Sequence, residues 1–224
     1  MHAILVFSSA LAASMMLGSV WADDQFETSE IHLEKNLTDG DAEVVINASA
    51  DDEGLSRLTI AGPDGRLLLD LNAPNSKLGL RKILVESPEP ENDGQILADY
   101  PAGEYRFSGT TTSGEAISAA ARLGHDFPSS VSLVQPNDGQ KGVAIAGLTF
   151  EWTPAKGARH YILILEDQEL DLEMEVELPG DTLSFKAPEG FLHPDREYKL
   201  AVGAVAEDGN RSFVEISFAT TREE

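Results

Sequence analysis

Paired aspartate and glycine residues divide this chain into short segments in which apolar and polar residues alternate. The pairs are Asp39-Gly40, Asp64-Gly65, Asp93-Gly94, Asp138-Gly139 and Asp208-Gly209. An Asp-Gly pair favours a tight turn, because glycine readily adopts the positive φ that hairpin turns require. Alternation with a period of two places the apolar side chains on one face of a strand. The pattern predicts an all-β protein of short strands joined by hairpins.

The first half of the chain has the spacing of strands and turns that is typical of a β-sandwich. Its runs are AEVVINA (42–48), SRLTIAG (56–62), RLLLDL (66–71), GEYRFSGT (103–110) and EAISAAARL (115–123). Hairpins are expected at Pro63-Asp64-Gly65 and near Ser113-Gly114. The segment NDGQILADY (92–100) fits a short helix, because Asn92 or Asp93 can cap its first turn. KLGLRKILVES (77–87) fits a strand and a helix equally well.

The last hundred residues carry the most specific pattern. Their runs are LTFEWTP (148–154), ARHYILILE (158–166), FLHPDREYKLAVGAV (191–205) and RSFVEISFAT (211–220). This half resembles a fibronectin type III domain. The resemblance implies that Trp152 is the core tryptophan of the second strand and Tyr161 the inward aromatic of the third. It also makes Leu192 the apolar plug before the sixth strand and Tyr198 the tyrosine that closes the corner there. Such sandwiches are scaffolds, so the resemblance implies a fold and leaves the activity open.

The first 22 residues have the composition of a secretory signal peptide. They contain no Asp, Glu, Lys or Arg, and they end in Val20-Trp21-Ala22, with small residues at positions −3 and −1 of a cut after Ala22. The alternative is an uncleaved anchor, but the apolar run is shorter than the roughly 20 residues that a membrane span needs. The chain has no cysteine, so we expect a disulfide-free bacterial protein that is periplasmic or secreted.

The remaining chain is long enough for two domains, each with its own core. The segment HDFPSS (125–130) interrupts the strand pattern with Pro128 and small polar residues. We therefore predict a signal peptide at 1–22, an N-terminal β-sandwich domain at 23–126 and a fibronectin type III-like domain at 127–224.

The whole mature chain also resembles an uncharacterised family of exported bacterial proteins with two β-rich domains. In the first half this resemblance rests on four segments: IHLEKNLTDGDAEVVINA, SRLTIAGPDGRLLLDL, GLRKILVESPEP and DYPAGEYRFSGTTTSGE. The resemblance implies that residues 31–224 form one two-domain unit, and it implies no activity.

The chain is strongly acidic, with a formal net charge of −23 at pH 7. Acidic residues outnumber basic ones in both halves, so the charge is not confined to a tail. An anionic surface repels nucleic-acid phosphates and anionic lipid, which argues against nucleic-acid binding and membrane insertion. Divalent cations and basic proteins remain as partners, and the alternative is an acidic surface that serves solubility alone.

One acidic segment is dense enough to be a candidate cation site. LEKNLTDGD places Glu34, Asn36, Asp39 and Asp41 close together, with Gly40 at the bend. Calcium takes six to eight oxygen ligands, including carboxylates and main-chain carbonyls. We expect weak calcium binding here, although the spacing is not that of an EF-hand loop. The alternative is a solvated Asp-Gly turn, and no other cofactor is predicted.

The segment DQELDLEMEVELPG (167–180) alternates throughout and is predicted to be one strand. Its apolar face would be Leu170, Leu172, Met174, Val176 and Leu178, and its acidic face Glu169, Asp171, Glu173, Glu175 and Glu177. A row of like charges protects an edge strand from pairing with other chains. The same row could instead recruit cations or a basic partner, and the sequence leaves both alternatives open.

Catalytic motifs are missing from the sequence. It has no cysteine nucleophile, no GxSxG, no HExxH and no glycine-rich phosphate loop. The histidines that follow the leader, among them His32 and His160, form no metal or triad spacing. We therefore predict a non-enzymatic exported binding or scaffolding protein with a protein partner. The alternatives are a calcium-dependent adhesion or matrix module and an accessory subunit of a cell-envelope enzyme.

Overall fold

A computed structural model describes residues 26–75, 77–89, 93–167 and 169–222. The described residues form β-strands, one short helix and connecting turns, arranged around two main apolar cores. Within these ranges, no helix is both long enough and apolar enough to cross a membrane.

The first half is a β-sandwich. Its elements are β1 (Thr28–Asn36), β2 (Asp41–Ser49), β3 (Leu55–Ala61), β4 (Leu67–Asn72), β5 (Lys82–Glu86), α1 (Asp93–Asp99), β6 (Gly103–Thr111) and β7 (Ala116–Leu123). One layer has the strand order β1-β2-β5 and the other the order β4-β3-β6-β7. Inward residues of both layers, such as Leu33, Leu58 and Phe107, are fully buried between them.

The structure confirms both predicted hairpins and resolves the two ambiguous segments. Gly65 turns β3 into β4 with φ of 79°, and Gly114 turns β6 into β7 with φ of 97°. The predicted helix is α1, and residues 82–86 of the other segment are strand β5. Asp93-Gly94 is one of the five Asp-Gly pairs, but it begins α1 and forms no hairpin turn. The helix forms there because its apolar side chain Ile96 is buried in the first core.

The second half is also a β-sandwich. Its strands are β8 (Leu133–Gln135), β9 (Gln140–Val143), β10 (Thr149–Trp152), β11 (His160–Asp167), β12 (Leu172–Pro179), β13 (Ser184–Lys186), β14 (Glu197–Val205) and β15 (Arg211–Thr220). The layers have the orders β8-β10-β13 and β12-β11-β14-β15, and β9 pairs with β15. Trp152 and Tyr161 meet edge to face in the core, with ring centroids 5.8 Å apart. Leu192 and Tyr198 are buried there too, so all four residues lie where the resemblance places them.

The two halves repeat one strand order. The three-stranded layer β1-β2-β5 corresponds to β8-β10-β13, and the four-stranded layer β4-β3-β6-β7 corresponds to β12-β11-β14-β15; β9 is an additional strand of the second half. Each half also has a tyrosine corner, in which a tyrosine hydroxyl bonds to the backbone shortly before it. Tyr198 Oη accepts a hydrogen bond from the His193 N–H at 2.8 Å, and Tyr105 Oη donates one to the Pro101 carbonyl at 3.0 Å. Burial raises the pKa of Tyr105 to about 12, which keeps this donor protonated. Both halves therefore have a fibronectin type III-like fold.

The prediction of one continuous strand over residues 167–180 is wrong. β11 ends at Asp167 and β12 begins at Leu172. The buried Asp167 carboxylate accepts hydrogen bonds from the N–H groups of Glu169 and Leu170, at 3.1 and 3.2 Å, and so closes a turn. Asp171 then reverses the chain with φ of 53°. The carboxylates on the strand itself are those of Glu173, Glu175 and Glu177, and β12 is an edge strand.

A single sheet runs through both sandwiches. β1 of the first half pairs in parallel with β15 of the second, which gives the order β12-β11-β14-β15-β1-β2-β5. The predicted two β-sandwich domains are thus joined side by side. The boundary after residue 126 stays a prediction, and Phe127, just beyond it, packs against the first core.

Candidate functional site: the groove between the domains

One buried amide side chain holds the junction together. Asn210 is fully buried, and its Oδ1 accepts a hydrogen bond from the Leu33 N–H at 2.8 Å. Its Nδ2 donates to the carbonyls of Gly124 and Asp126, at 3.2 and 3.0 Å. Asn210 thereby joins β1, the segment between the domains and the turn that precedes β15.

Backbone and hydroxyl groups extend this junction. The Leu37 N–H donates to the Phe213 carbonyl at 3.0 Å, and the Glu215 N–H donates to Thr38 Oγ1 at 2.8 Å. Ser212 Oγ donates to the Pro128 carbonyl at 2.9 Å. These bonds follow β15 for several residues, so they fix the angle between the domains and any surface that both share.

A groove of about 870 Å³ lies at this junction. Its walls come from β1, the segment between the domains, the edge strand β12 and the β14–β15 turn. Apolar atoms supply most of its surface, and the apolar lining residues include Phe127, Pro128 and Val205. Its charged side chains are Glu30, Asp126, Glu177, Glu207, Asp208, Arg122 and Arg211. Five carboxylates against two guanidinium groups make the groove acidic, and its volume is that of a ligand site.

His32 is the unusual polar residue of the groove. It is only 4% exposed, and its Nε2 has no hydrogen-bond partner. The nearest acceptor is Glu34 Oε2 at 3.7 Å, and Glu34 in turn faces Arg211 Nη1 at 3.6 Å. Buried polar atoms are normally hydrogen-bonded, because an unpaired one costs stability. His32 Nε2 and Arg211 Nε are therefore buried in the groove wall without a hydrogen-bond partner among the described residues.

Acidic side chains of β1 and β2 lie close together on one face of the sheet in the first domain. Glu43 lies opposite Glu34 in the β1–β2 pairing. Partial burial, followed by the charges of Glu86, Glu34, Glu89 and Asp41, raises the pKa of Glu43 to about 7. The Glu43 carboxyl therefore titrates near neutral pH.

The predicted calcium residues lie at the turn between β1 and β2, but they do not converge. Asn36 Oδ1 accepts the Thr38 N–H at 3.0 Å, and Asn36 Nδ2 donates to Asp39 Oδ2 at 3.1 Å. Glu34 faces Arg211 instead, while Asp41 begins β2. Among the described residues, no three acidic or histidine side chains are grouped to hold a metal ion. Calcium binding at Glu34, Asn36, Asp39 and Asp41 stays a prediction.

The sequence interpretation missed the residues that build the groove. Asn210 and His32 carry no local motif, because their partners are distant in sequence. The repeated tyrosine corner did have a signal: Pro101-Ala102-Gly103-Glu104-Tyr105-Arg106 and Pro194-Asp195-Arg196-Glu197-Tyr198-Lys199 share the pattern P-x-x-E-Y followed by a basic residue. That repeat indicates two domains of one fold.

Solved structures similar to this chain include fibronectin modules. The fibronectin(III)-like modules of Clostridium thermocellum CbhA match at a TM-score of 0.37 and 10% identity, over 88% of this chain and 94% of that one. The chicken CNTN1 FN1-FN3 domains match at a TM-score of 0.33 and 13% identity, over 89% of this chain and 64% of that one. A two-domain fibronectin type III segment of chicken tenascin matches at a TM-score of 0.33 and 14% identity, over 88% of this chain and 100% of that one. No family model and no curated protein matches the chain.

The class of the protein rests on its own strand order and tyrosine corners. It is a protein with two fibronectin type III-like, immunoglobulin-like β-sandwiches. The parallel β1–β15 pairing joins the two sandwiches into one sheet beside an acidic groove.

Proposed function

We propose that this is a non-enzymatic, exported binding protein that holds a protein partner in the groove between its domains. The observation that carries the proposal is the hydrogen-bonded junction around Asn210, which supports a preformed groove. A preformed site binds without the cost of ordering its walls.

The experiment is capture of the partner by the mature protein from its native envelope fraction, with a pair of matched variants. Ala206 lines the groove, whereas Ala146 is exposed in the loop before β10. Ala206→Trp places a bulky side chain in the groove and is expected to abolish capture, while Ala146→Trp adds the same side chain elsewhere and should leave capture unchanged. Equal capture by both variants would exclude the groove as the binding site.

The same capture, repeated with a chelator, separates the alternatives. Loss of the partner on chelation favours a calcium-dependent adhesion or matrix module. Recovery of a catalytic protein favours an accessory subunit of a cell-envelope enzyme.

Export is tested by the intact mass of the mature protein, which should begin at Asp23. A mature species that retains Met1 would contradict both the signal peptide and the periplasmic or secreted location.

A further inference from the structure

We propose that the partner presents an extended segment in which basic residues alternate with apolar ones, and that this segment lies along β12 and enters the groove at Glu177. The inference rests on the proposed function and specifies the chemistry of the partner. Three features of the described residues support it: the charge of the groove and β12, the free edge of β12, and the apolar surface beside them.

The charge selects a basic segment. Glu177 belongs both to the groove and to the acidic row of β12, which continues through Glu175 to Glu173. Glu30 and Asp208 also line the groove. Of the nearby guanidinium groups, Arg211 faces Glu34 at 3.6 Å and Arg159 pairs with Glu207 at 2.6 Å, and the exposed Arg122 is outnumbered by the groove carboxylates. The surface is therefore complementary to a cation, and a second copy of this acidic chain would be repelled.

The geometry selects an extended segment. β12 stands at the end of the sheet, so one side of its backbone is unpaired with any described strand. An extended peptide can add to such an edge through main-chain hydrogen bonds, with its side chains read alternately on the two faces. Its alternate side chains stand about 6.6–6.8 Å apart, which is also the spacing of Glu173, Glu175 and Glu177 along their strand. Basic residues at every second position would each meet one carboxylate.

The apolar face of β12 indicates that the ligand residues between the basic ones are apolar. On the opposite face of β12, Leu172 is 42% exposed, and Met174 and Val176 are half-buried. Apolar residues at the intervening positions of the ligand would cover this surface.

Binding is tested with labelled peptides and the whole mature protein, by fluorescence anisotropy at about 0.15 M ionic strength, where the Debye length is about 8 Å. The probe alternates Lys and Val over eight residues. One control has the same composition with the lysines and valines in separate blocks, and another replaces each Val with Ser. The alternating peptide is expected to bind at least about tenfold more tightly than either control, a difference of about 1.4 kcal/mol.

A matched pair of double variants locates the binding. The double variant Glu175→Gln, Glu177→Gln removes two charges from β12. It is expected to weaken binding of the alternating peptide about fivefold or more. Glu104→Gln with Glu189→Gln removes two exposed charges elsewhere and is expected to leave affinity unchanged. Thermal unfolding of both variants checks that they are folded. Equal weakening by both, or equal affinity for the alternating and block peptides, would overturn the inference in favour of general charge attraction.

The outcome for the partner's chemistry is separate from the outcome for the groove. If Ala206→Trp abolishes capture of the native partner while no basic peptide binds, the proposed function stands and the present inference fails. If the alternating peptide binds to β12 but Ala206→Trp leaves partner capture intact, the groove fails as the site of function.

Discussion

The side-chain oxygen of Asn210 accepts a hydrogen bond from the backbone N–H of Leu33 at 2.8 Å, across 177 residues of sequence. The turn Asp208-Gly209 presents this amide, and Gly209 adopts φ of 90°, which suits a residue without a side chain. Because the Asn210 amide also bonds the segment between the domains, one side chain fixes three stretches of backbone. It sets the relative position of the two sandwiches.

Asn210→Ala is expected to uncouple the domains. The substitution leaves the Leu33 N–H and the Gly124 and Asp126 carbonyls without their partner, and leaving buried polar groups unpaired should cost about 2–3 kcal/mol. Differential scanning calorimetry should show one unfolding transition for the wild type and two separate transitions for the variant. Small-angle scattering should show a larger radius of gyration.

The matched control for this prediction is Asn137→Ala, because Asn137 is an exposed asparagine in another turn. It should keep the single transition. If Asn210→Ala unfolds in the same single transition as Asn137→Ala, the junction does not depend on the Asn210 amide.

The fluorescence of Trp152 should report whether the second core is folded. In a chain that begins at Asp23 it is the one remaining tryptophan, since Trp21 precedes the cut. Its side chain is 3% exposed beside Tyr161, so fluorescence should peak at short wavelength and shift to the red on unfolding. Trp152→Ala should cost about 3–5 kcal/mol, as large-to-small core changes do, and Trp152→Phe should cost less. Solvent-like emission from the folded protein would contradict this placement.

Glu43 should make stability depend on pH. Its folded pKa of about 7 lies above the reference value of 4.5, so the folded carboxyl holds its proton more tightly than the unfolded one. This contribution to stability is fully present below about pH 4.5 and is lost as the pH rises through 7. Glu43→Gln should therefore be more stable than the wild type at pH 8, by about 1 kcal/mol after allowance for solvent screening. The difference should narrow towards pH 5.

Thermal melting at both pH values measures this effect. Glu189→Gln is the control, because it removes one charge from an exposed loop. If Glu189→Gln stabilises the protein at pH 8 as much as Glu43→Gln does, the gain reflects net charge rather than the crowded carboxylates around Glu43.

Calcium is expected to bind weakly at the turn that holds Glu34, Asn36, Asp39 and Asp41. Extracellular calcium modules work at about 10⁻⁴–10⁻³ M. At ten times the dissociation constant, binding would stabilise the folded state by about 1.4 kcal/mol, a rise in melting temperature of about 5 °C for a domain of about a hundred residues. Magnesium at equal ionic strength and the double variant Asp39→Asn, Asp41→Asn are the controls. Equal shifts in every case would show screening of the acidic surface, with no calcium site.

Local chemistry made much of the fold predictable. Alternation and Asp-Gly turns depend on residues that are neighbours in sequence, and they correctly indicated the hairpins at Gly65 and Gly114. At two places the Asp-Gly pair or the alternation did not give the expected turn or strand, because a nearby side chain is buried. Asp93-Gly94 begins a helix because Ile96 packs into the core, and the alternating segment 167–180 is broken because the Asp167 carboxylate binds the backbone of a turn.

The sequence by itself determined the two β-sandwiches, the core positions of Trp152 and Tyr198, and the acidity of the surface. The sandwiches and the acidity follow from side-chain type, period and turn chemistry, each of which acts over a few residues. The core positions of Trp152 and Tyr198 are what the resemblance to a fibronectin type III domain implied. Only the tertiary structure decided that β1 pairs with β15, that Asn210 bridges the domains and that His32 is buried at their groove. Each of these contacts joins segments from different domains, and the backbone groups involved are the same in every residue, so no local pattern specifies their partners.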